Sequence, residues 1–83
     1  MHETWEGRIG NRLRTARVAL QLSEDQVAVI LCTSPRTYQK WESGGGCIRL
    51  GHLIAFCRAT GVSPNWLFGD NGSFLIRGDR VLQ

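Results

Sequence analysis

Arginine dominates the side chains of this sequence that are suited to binding another molecule. Nine arginines accompany a single lysine, Lys40. The planar guanidinium group matches both phosphate oxygens and the edge of guanine. The formal net charge of +3 is modest, and solvated surface charge explains it about as well as nucleic-acid binding does. Charge alone therefore leaves both interpretations open.

Cysteine and histidine form a weaker candidate site. Cys32, Cys47 and Cys57 are odd in number and lack a Cys-x-x-Cys spacing, so they do not indicate a disulfide framework. Cys47, His52 and Cys57 could be considered as metal ligands, but zinc spacings are usually tighter and a fourth ligand is missing. The sequence favours structural roles for these residues, and we expect neither a metal nor a cofactor.

The sequence also lacks the usual arrangements of catalytic residues. It has no Ser/His/Asp constellation, and Gly44-Gly45-Gly46 has neither a preceding strand nor the Gly-Lys-Ser/Thr ending of a phosphate loop. No apolar run approaches the ~20 residues that span a bilayer. The start, MHETWEGRIG, does not resemble a signal peptide. We expect a cytoplasmic protein without enzymatic activity or membrane contact.

Residues 22–43 predict two short helices joined by a tight turn, the layout of a helix-turn-helix. Ser23 and Gln26 form the pattern of a capping box, and Val27, Ala28, Ile30 and Leu31 supply an apolar stripe. Ser34 followed by Pro35 predicts the start of the second helix, which Ser43 and the glycines end. Tyr38 and Trp41 would point inward, which leaves polar residues outside.

Three more helices complete an all-α prediction. The first spans about residues 6–20, the fourth about 50–60 with an apolar stripe of Leu50, Leu53, Ile54 and Cys57, and the fifth 64–68 after Ser63. The segment after residue 72 contains two β-prone runs around Gly78-Asp79, which could form a hairpin or a frayed terminus. We predict a domain over residues 1–72 and a tail over residues 73–83, a possible dimerisation hairpin.

Several of these stretches resemble the phage repressor and Cro-like helix-turn-helix family, also called the xenobiotic-response-element family. LSEDQVA resembles the family's "LSQEELA", and SPRTYQKWESG resembles "SRSTISRWESG". IGNRLRTAR resembles the first helix, and residues 50–68 resemble "LxxLxxIAxALGVSxxWLL". The resemblance covers about residues 8–69. It implies a compact five-helix, lambda-repressor-like DNA-binding domain, followed by a short C-terminal extension.

The resemblance also implies roles for individual residues. Those matching Pro35, Arg36 and Lys40 read base edges, and Arg36 can bind guanine O6 and N7. Gln39 could read adenine or bind a phosphate, and Thr37 matches a phosphate contact. Arg17 and Glu42 match an internal ion pair. The full predicted DNA-binding set is Ser23, Glu24, Thr33, Ser34, Pro35, Arg36, Thr37, Gln39, Lys40, Ser43 and Gly45.

Several departures from the family pattern bear on binding and on backbone strain. Glu24 replaces a glutamine that often touches a phosphate, and a carboxylate there would repel one. Cys32 replaces the glycine of the turn, so the turn is either strained by about 1 kcal/mol or shaped differently. Pro35 presents little to a base edge, and the glycine loop lacks the lysines often found there in the family. Together these departures predict a weaker electrostatic grip on DNA than in a typical member, or a different partner.

Two functions are compatible with these observations. The first is a sequence-specific, double-stranded DNA-binding transcriptional regulator, a repressor that binds an inverted-repeat operator as a homodimer. The second is an antitoxin-like protein-interaction module whose apolar tail binds a partner protein. Phe74, Leu75, Ile76, Val81 and Leu82 motivate that alternative.

Overall fold

The structure is a computed structural model, and it describes residues 4–69. Five helices follow one another: α1 (Trp5–Ala19), α2 (Glu24–Ile30), α3 (Pro35–Ser43), α4 (Leu50–Thr60) and α5 (Pro64–Leu67). Their boundaries confirm the predicted all-α organisation to within about one residue. The predicted tail at residues 73–83 and its hairpin lie outside the described residues.

Local capping explains where the first three helices begin. Thr4, Ser23 and Ser34 each precede a helix in extended conformation, and each side-chain oxygen accepts a hydrogen bond from the backbone N–H three residues later. The predicted capping box at α2 is confirmed, since the Gln26 amide oxygen also accepts from the Ser23 N–H at 2.8 Å. Ser63 occupies the same position before α5, but its side chain makes no capping hydrogen bond.

Glycine explains how α3 and α4 end. Gly44 and Gly61 adopt the left-handed conformation, with φ values of 83° and 78°, as the predicted helix stops require. The loop from α3 to α4 therefore begins at Gly44 with a backbone conformation that L-residues rarely adopt. Within residues 4–69, no helix is both long enough and apolar enough to cross a membrane.

The core lies between the inner faces of all five helices. Leu13, Tyr38, Phe56, Val62 and Leu67 are fully or almost fully buried within it. Helices α1 and α3 form the most extensive contact between two helices among the described residues, so α3 rests mainly on α1.

Three of the residues placed on the predicted apolar stripes are exposed. Ile30 on α2 is 39% exposed, and Leu50 and Ile54 on α4 are 68% and 47% exposed. The prediction is wrong at these three positions. Helix α4 is apolar on several sides, and it buries Leu53 and Cys57 of the predicted stripe together with Phe56. Leu50 and Ile54 are one turn apart, so they form an apolar row on the outside of the domain.

Candidate nucleic-acid interface

Helix α3 has one buried face and one exposed face. Tyr38 and Trp41 are buried and meet edge to face, with ring centroids 6.3 Å apart. On the opposite side, Arg36, Gln39 and Lys40 are exposed. Since residues three and four positions apart share a face, burying Tyr38 and Trp41 directs these polar groups outward. The result is an exposed helix face with hydrogen-bonding side chains, as the sequence predicted.

The first turn of α3 is held by its own side chains. The Ser34 hydroxyl oxygen accepts from the Thr37 N–H at 3.1 Å, and the hydroxyl donates to Thr37 Oγ1 at 2.9 Å. Pro35 follows the cap in the first helical position. Ser34 and Thr37 are therefore bonded to each other, while the Pro35 ring stays on the surface.

The turn between α2 and α3 passes through Cys32 in a left-handed conformation, at φ 55°. The sequence left open whether this turn is strained or shaped differently. The structure has the strained backbone, at a cost of about 1–2 kcal/mol for an L-residue. The next residue, Thr33, donates its N–H to the Ala28 carbonyl at 2.9 Å. This hydrogen bond closes the turn and sets where Ser34 can begin α3.

The C-terminal end of α3 turns away through the predicted glycine loop. The Ser43 hydroxyl donates to the Lys40 carbonyl at 3.0 Å, and the Gly45 N–H donates to the same carbonyl at 2.9 Å. Both residues are exposed. A Cβ atom on Gly44 would lie 3.1 Å from the Gly7 Cα of α1, so the loop also passes close to the first helix.

An ion pair joins the end of α1 to α3. The Arg17 Nε donates to Glu42 Oε2 at 2.6 Å, Nη2 donates to Oε1 at 3.2 Å, and Nη1 donates to the Leu22 carbonyl at 3.0 Å. The two side chains are only 14% and 5% exposed. The hydrogen bond to Glu42 raises the pKa of Arg17 above its usual range. The predicted internal pair is confirmed, and it fixes α3 against α1.

The Tyr38 hydroxyl lies near this ion pair. It is buried and makes no hydrogen bond with the residues that the structure describes. Burial, together with the neighbouring Glu42 carboxylate, raises the pKa of Tyr38 well above its usual range. The tyrosine therefore contributes as a neutral core residue, and not as an acid or base.

An even closer contact between α1 and α3 occurs at Gly10. A Cβ atom built on this glycine would lie 2.3 Å from the Trp41 carbonyl oxygen and 2.6 Å from that of Glu42. Backbone atoms cannot swing aside as a flexible side chain can. Glycine at this position thus lets α3 approach α1 closely, which fixes the distance of the exposed α3 face from the first helix.

A polar cleft of about 490 Å³ opens between α1, α2 and α3, and we refer to it as the α1–α3 cleft. It is lined by Arg14, Arg17, Glu24, Gln39, Glu42 and Ser43. Three residues of the predicted DNA-binding set, Glu24, Gln39 and Ser43, thus lie around one cleft. Ser23, Thr33 and Gly45 lie outside it.

Arg14 lines the cleft but is not part of the predicted DNA-binding set. The helical periodicity of α1 shows that Arg14 lies away from Leu13, but it does not show which neighbouring helix borders that side. The position of Arg14 on the same cleft as Gln39 depends on how α1 crosses α3. That crossing follows from the close contact at Gly10, which no local pattern indicates.

Comparison with known proteins agrees with this geometry. A family model described as helix-turn-helix matches residues 13–67 of the chain. No curated protein matches the sequence as a relative. Solved structures with the same fold include the restriction-modification controller protein C.AhdI from Aeromonas hydrophila, with 24% identity and a TM-score of 0.69. That match covers 75% of this chain and 94% of the other.

One further structure has the same fold, and another contains a region with it. The clp gene regulator ClgR from Corynebacterium glutamicum is 21% identical with a TM-score of 0.76, over 81% of this chain and 71% of that one. FeII HppE is 24% identical with a TM-score of 0.71, over 92% of this chain but only 43% of its own. These likenesses show the fold, and the family model covers well over half of the sequence. The chain therefore belongs to the Cro/C1-type helix-turn-helix family of DNA-binding regulators.

Proposed function

We propose that this protein is a cytoplasmic transcriptional regulator that binds double-stranded DNA at a specific sequence. The observation that carries the proposal is the division of α3 into a buried face and an exposed face of Arg36, Gln39 and Lys40. An α-helix fits the major groove of B-DNA, where each base pair presents a distinct pattern of donors and acceptors. A helix supported from behind by α1 can enter that groove without rearranging.

Phosphate contacts would position α3 in the groove. We propose that Ser23, Thr33, Ser34, Thr37, Ser43 and Gly45 contact the DNA backbone, while Pro35, Arg36 and Lys40 face base edges. Hydroxyl and backbone N–H groups suit phosphate contacts, which set orientation without reading sequence. Arg36 is the residue with the best geometry for guanine, because its guanidinium can donate to O6 and N7 together.

We further propose that the protein acts as a homodimer on an inverted repeat. One recognition helix reads too few base pairs to select a site in a genome, and a two-fold dimer doubles the site. The exposed row of Leu50 and Ile54 offers apolar surface for this purpose, and the C-terminal tail is a second candidate. A dimer on an operator that overlaps a promoter would block initiation, so repression is the mode we propose.

Selection from random duplexes tests sequence recognition directly. The purified protein should enrich an inverted repeat whose half-sites are about one helical turn apart. Arg36→Ala should lose about 1–3 kcal/mol of specific binding and flatten the preference at one base pair. Arg58→Ala, which removes an exposed arginine from α4, is the matched control and should leave the preference intact. An Arg36→Ala variant with wild-type preference would contradict the proposed placement of α3.

Sedimentation tests the dimer. Leu50→Glu/Ile54→Glu and deletion of residues 73–83 should be compared, and the change that produces monomer identifies the dimer surface. A monomeric wild-type protein that still enriches a single half-site would contradict the homodimer. A protein that enriches no DNA motif, but copurifies in stoichiometric amounts with another protein through residues 73–83, would favour the antitoxin-like function.

A further inference from the structure

The α1–α3 cleft contains charged groups of two different kinds. Arg17 and Glu42 neutralise each other, and the remaining Arg17 contact is to the Leu22 carbonyl. Arg14 and Glu24 line the same cleft and form no ion pair with each other. Among residues 4–69, Arg14 has no hydrogen bond, ion pair or ring contact, and its side chain is exposed. It is thus a cation at the mouth of the cleft that the folded domain does not use.

The neutral groups of the cleft differ in what they can donate. The Ser43 hydroxyl already donates to the Lys40 carbonyl at 3.0 Å, so it must turn away from that carbonyl before it can donate to a phosphate. The Gln39 amide is exposed and makes no hydrogen bond within the described chain. Arg14 and Gln39 are consequently the two exposed side chains of the cleft whose donors make no hydrogen bond among residues 4–69. They belong to different helices, α1 and α3, and face the same opening.

We infer that Arg14 binds a phosphate of the DNA backbone at the α1–α3 cleft, with Gln39 as a second donor and Glu24 as an opposing charge. The inference rests on the proposed function. A phosphate fits because the guanidinium can donate to two of its oxygens at once. A base edge does not fit there. Arg14 lies on α1 and reaches the opening beside α3, and the backbone of a DNA strand would pass this opening if α3 occupied the major groove.

This assignment explains how the domain tolerates Glu24. A carboxylate beside a phosphate weakens binding. Glu24 also cannot make the phosphate contact that the family's glutamine often makes at this position. Arg14 supplies a positive charge in the same cleft and offsets the repulsion. The two residues should therefore act in opposite directions on affinity, and both effects should be independent of DNA sequence.

Fluorescence anisotropy on the selected duplex and on a scrambled duplex tests the inference, at salt concentrations from about 50 to about 200 mM. The variants are Arg14→Ala, Arg14→Lys and Glu24→Gln, with Arg58→Ala as the matched control for loss of one exposed arginine. The slope of log K against log salt is negative, and each lost phosphate contact reduces its magnitude by about 0.9. The affinity deficit of Arg14→Ala should therefore be about threefold larger at the lowest salt than at the highest.

The expected result has three parts. Arg14→Ala weakens binding to both duplexes by the same factor and reduces the salt slope, whereas Arg14→Lys restores most of the slope. Glu24→Gln tightens binding to both duplexes by about two- to fivefold. Arg36→Ala differs from all of these, because it weakens binding to the selected duplex far more than to the scrambled one. Thermal melting confirms that the exposed substitutions leave the fold intact.

Two results would overturn the inference alone. In the first, the wild-type protein binds DNA, but Arg14→Ala has the affinity and salt slope of Arg58→Ala. In the second, Arg14→Ala changes the preferred base sequence, which would make Arg14 a base-reading residue. If the wild-type protein binds neither duplex at any salt concentration, the proposed function fails, and the assignment of Arg14 fails with it.

Discussion

Substitution of Gly10 by alanine tests how closely α1 and α3 must pack. The added methyl group would lie 2.3 Å from the Trp41 carbonyl oxygen, and ordinary van der Waals contact begins near 3.4 Å. The two helices must therefore separate locally by about 1 Å. Since the obstructing atoms belong to the backbone of α3, the whole recognition helix has to move.

The expected energy is the difference of two opposing contributions. Alanine is favoured over glycine in a helix by up to about 1 kcal/mol. Overpacking of a close contact costs about 1–3 kcal/mol. At Gly10 the steric contribution should be the larger, because both nearby carbonyl groups are fixed within α3. We expect a net destabilisation of about 1–2 kcal/mol, or a fall in Tm of about 4–15 °C for a domain of this size.

Gly51 provides the matched control. It also lies within a helix, α4, but a Cβ atom there would meet nothing within 4 Å. Gly51→Ala should therefore raise the Tm through helix propensity alone, while Gly10→Ala lowers it. Thermal unfolding followed by circular dichroism measures both. An equal rise in Tm for the two variants would refute the claim that α3 rests in contact with the α1 backbone at Gly10.

The remaining predictions concern the turn, the ion pair and the buried tyrosine. Cys32→Gly should raise stability by about 0.5–1 kcal/mol in a chemical denaturation series, since it relieves the left-handed strain; an unchanged midpoint would contradict that strain. Arg17→Ala should cost about 3 kcal/mol because it leaves the nearly buried Glu42 unpaired, and Arg17→Met/Glu42→Leu should recover most of that loss. Burial raises the pKa of Cys57 above 9.0 and that of Tyr38 above 10.0, so the folded state holds these protons more tightly than the unfolded state. Stability should accordingly fall as the pH rises past 9.0 and then past 10.0, and Tyr38→Phe should flatten the second part of that decline in alkaline melting curves.

The sequence predicted the elements whose signals are local. The capping box at Ser23, the Ser34-Pro35 start of α3 and the glycine stops at Gly44 and Gly61 each depend on atoms within a few residues. Such interactions form in the same way wherever the helix lies in the fold. The helix boundaries followed from them.

Features that depend on how the helices cross could not be predicted. Leu50 and Ile54 share an apolar pattern with buried neighbours, and only the contacts of α4 with α2 and α5 decide which side is covered. Gly10 reads as an unfavourable residue in a helix until the Trp41 carbonyl is placed against it. The α1–α3 cleft, and with it the position of Arg14, follows from that same crossing.

The division of α3 into two faces has a consequence for how such a domain can change over evolutionary time. Tyr38 and Trp41 contribute to folding from the inner face, whereas exposed positions such as Arg36, Gln39 and Lys40 tolerate substitution with little effect on stability, usually within about 0.5 kcal/mol. Mutations on the outer face can therefore accumulate without unfolding the protein. A new binding preference is accessible by a few substitutions on one helix, while the scaffold that presents them stays the same.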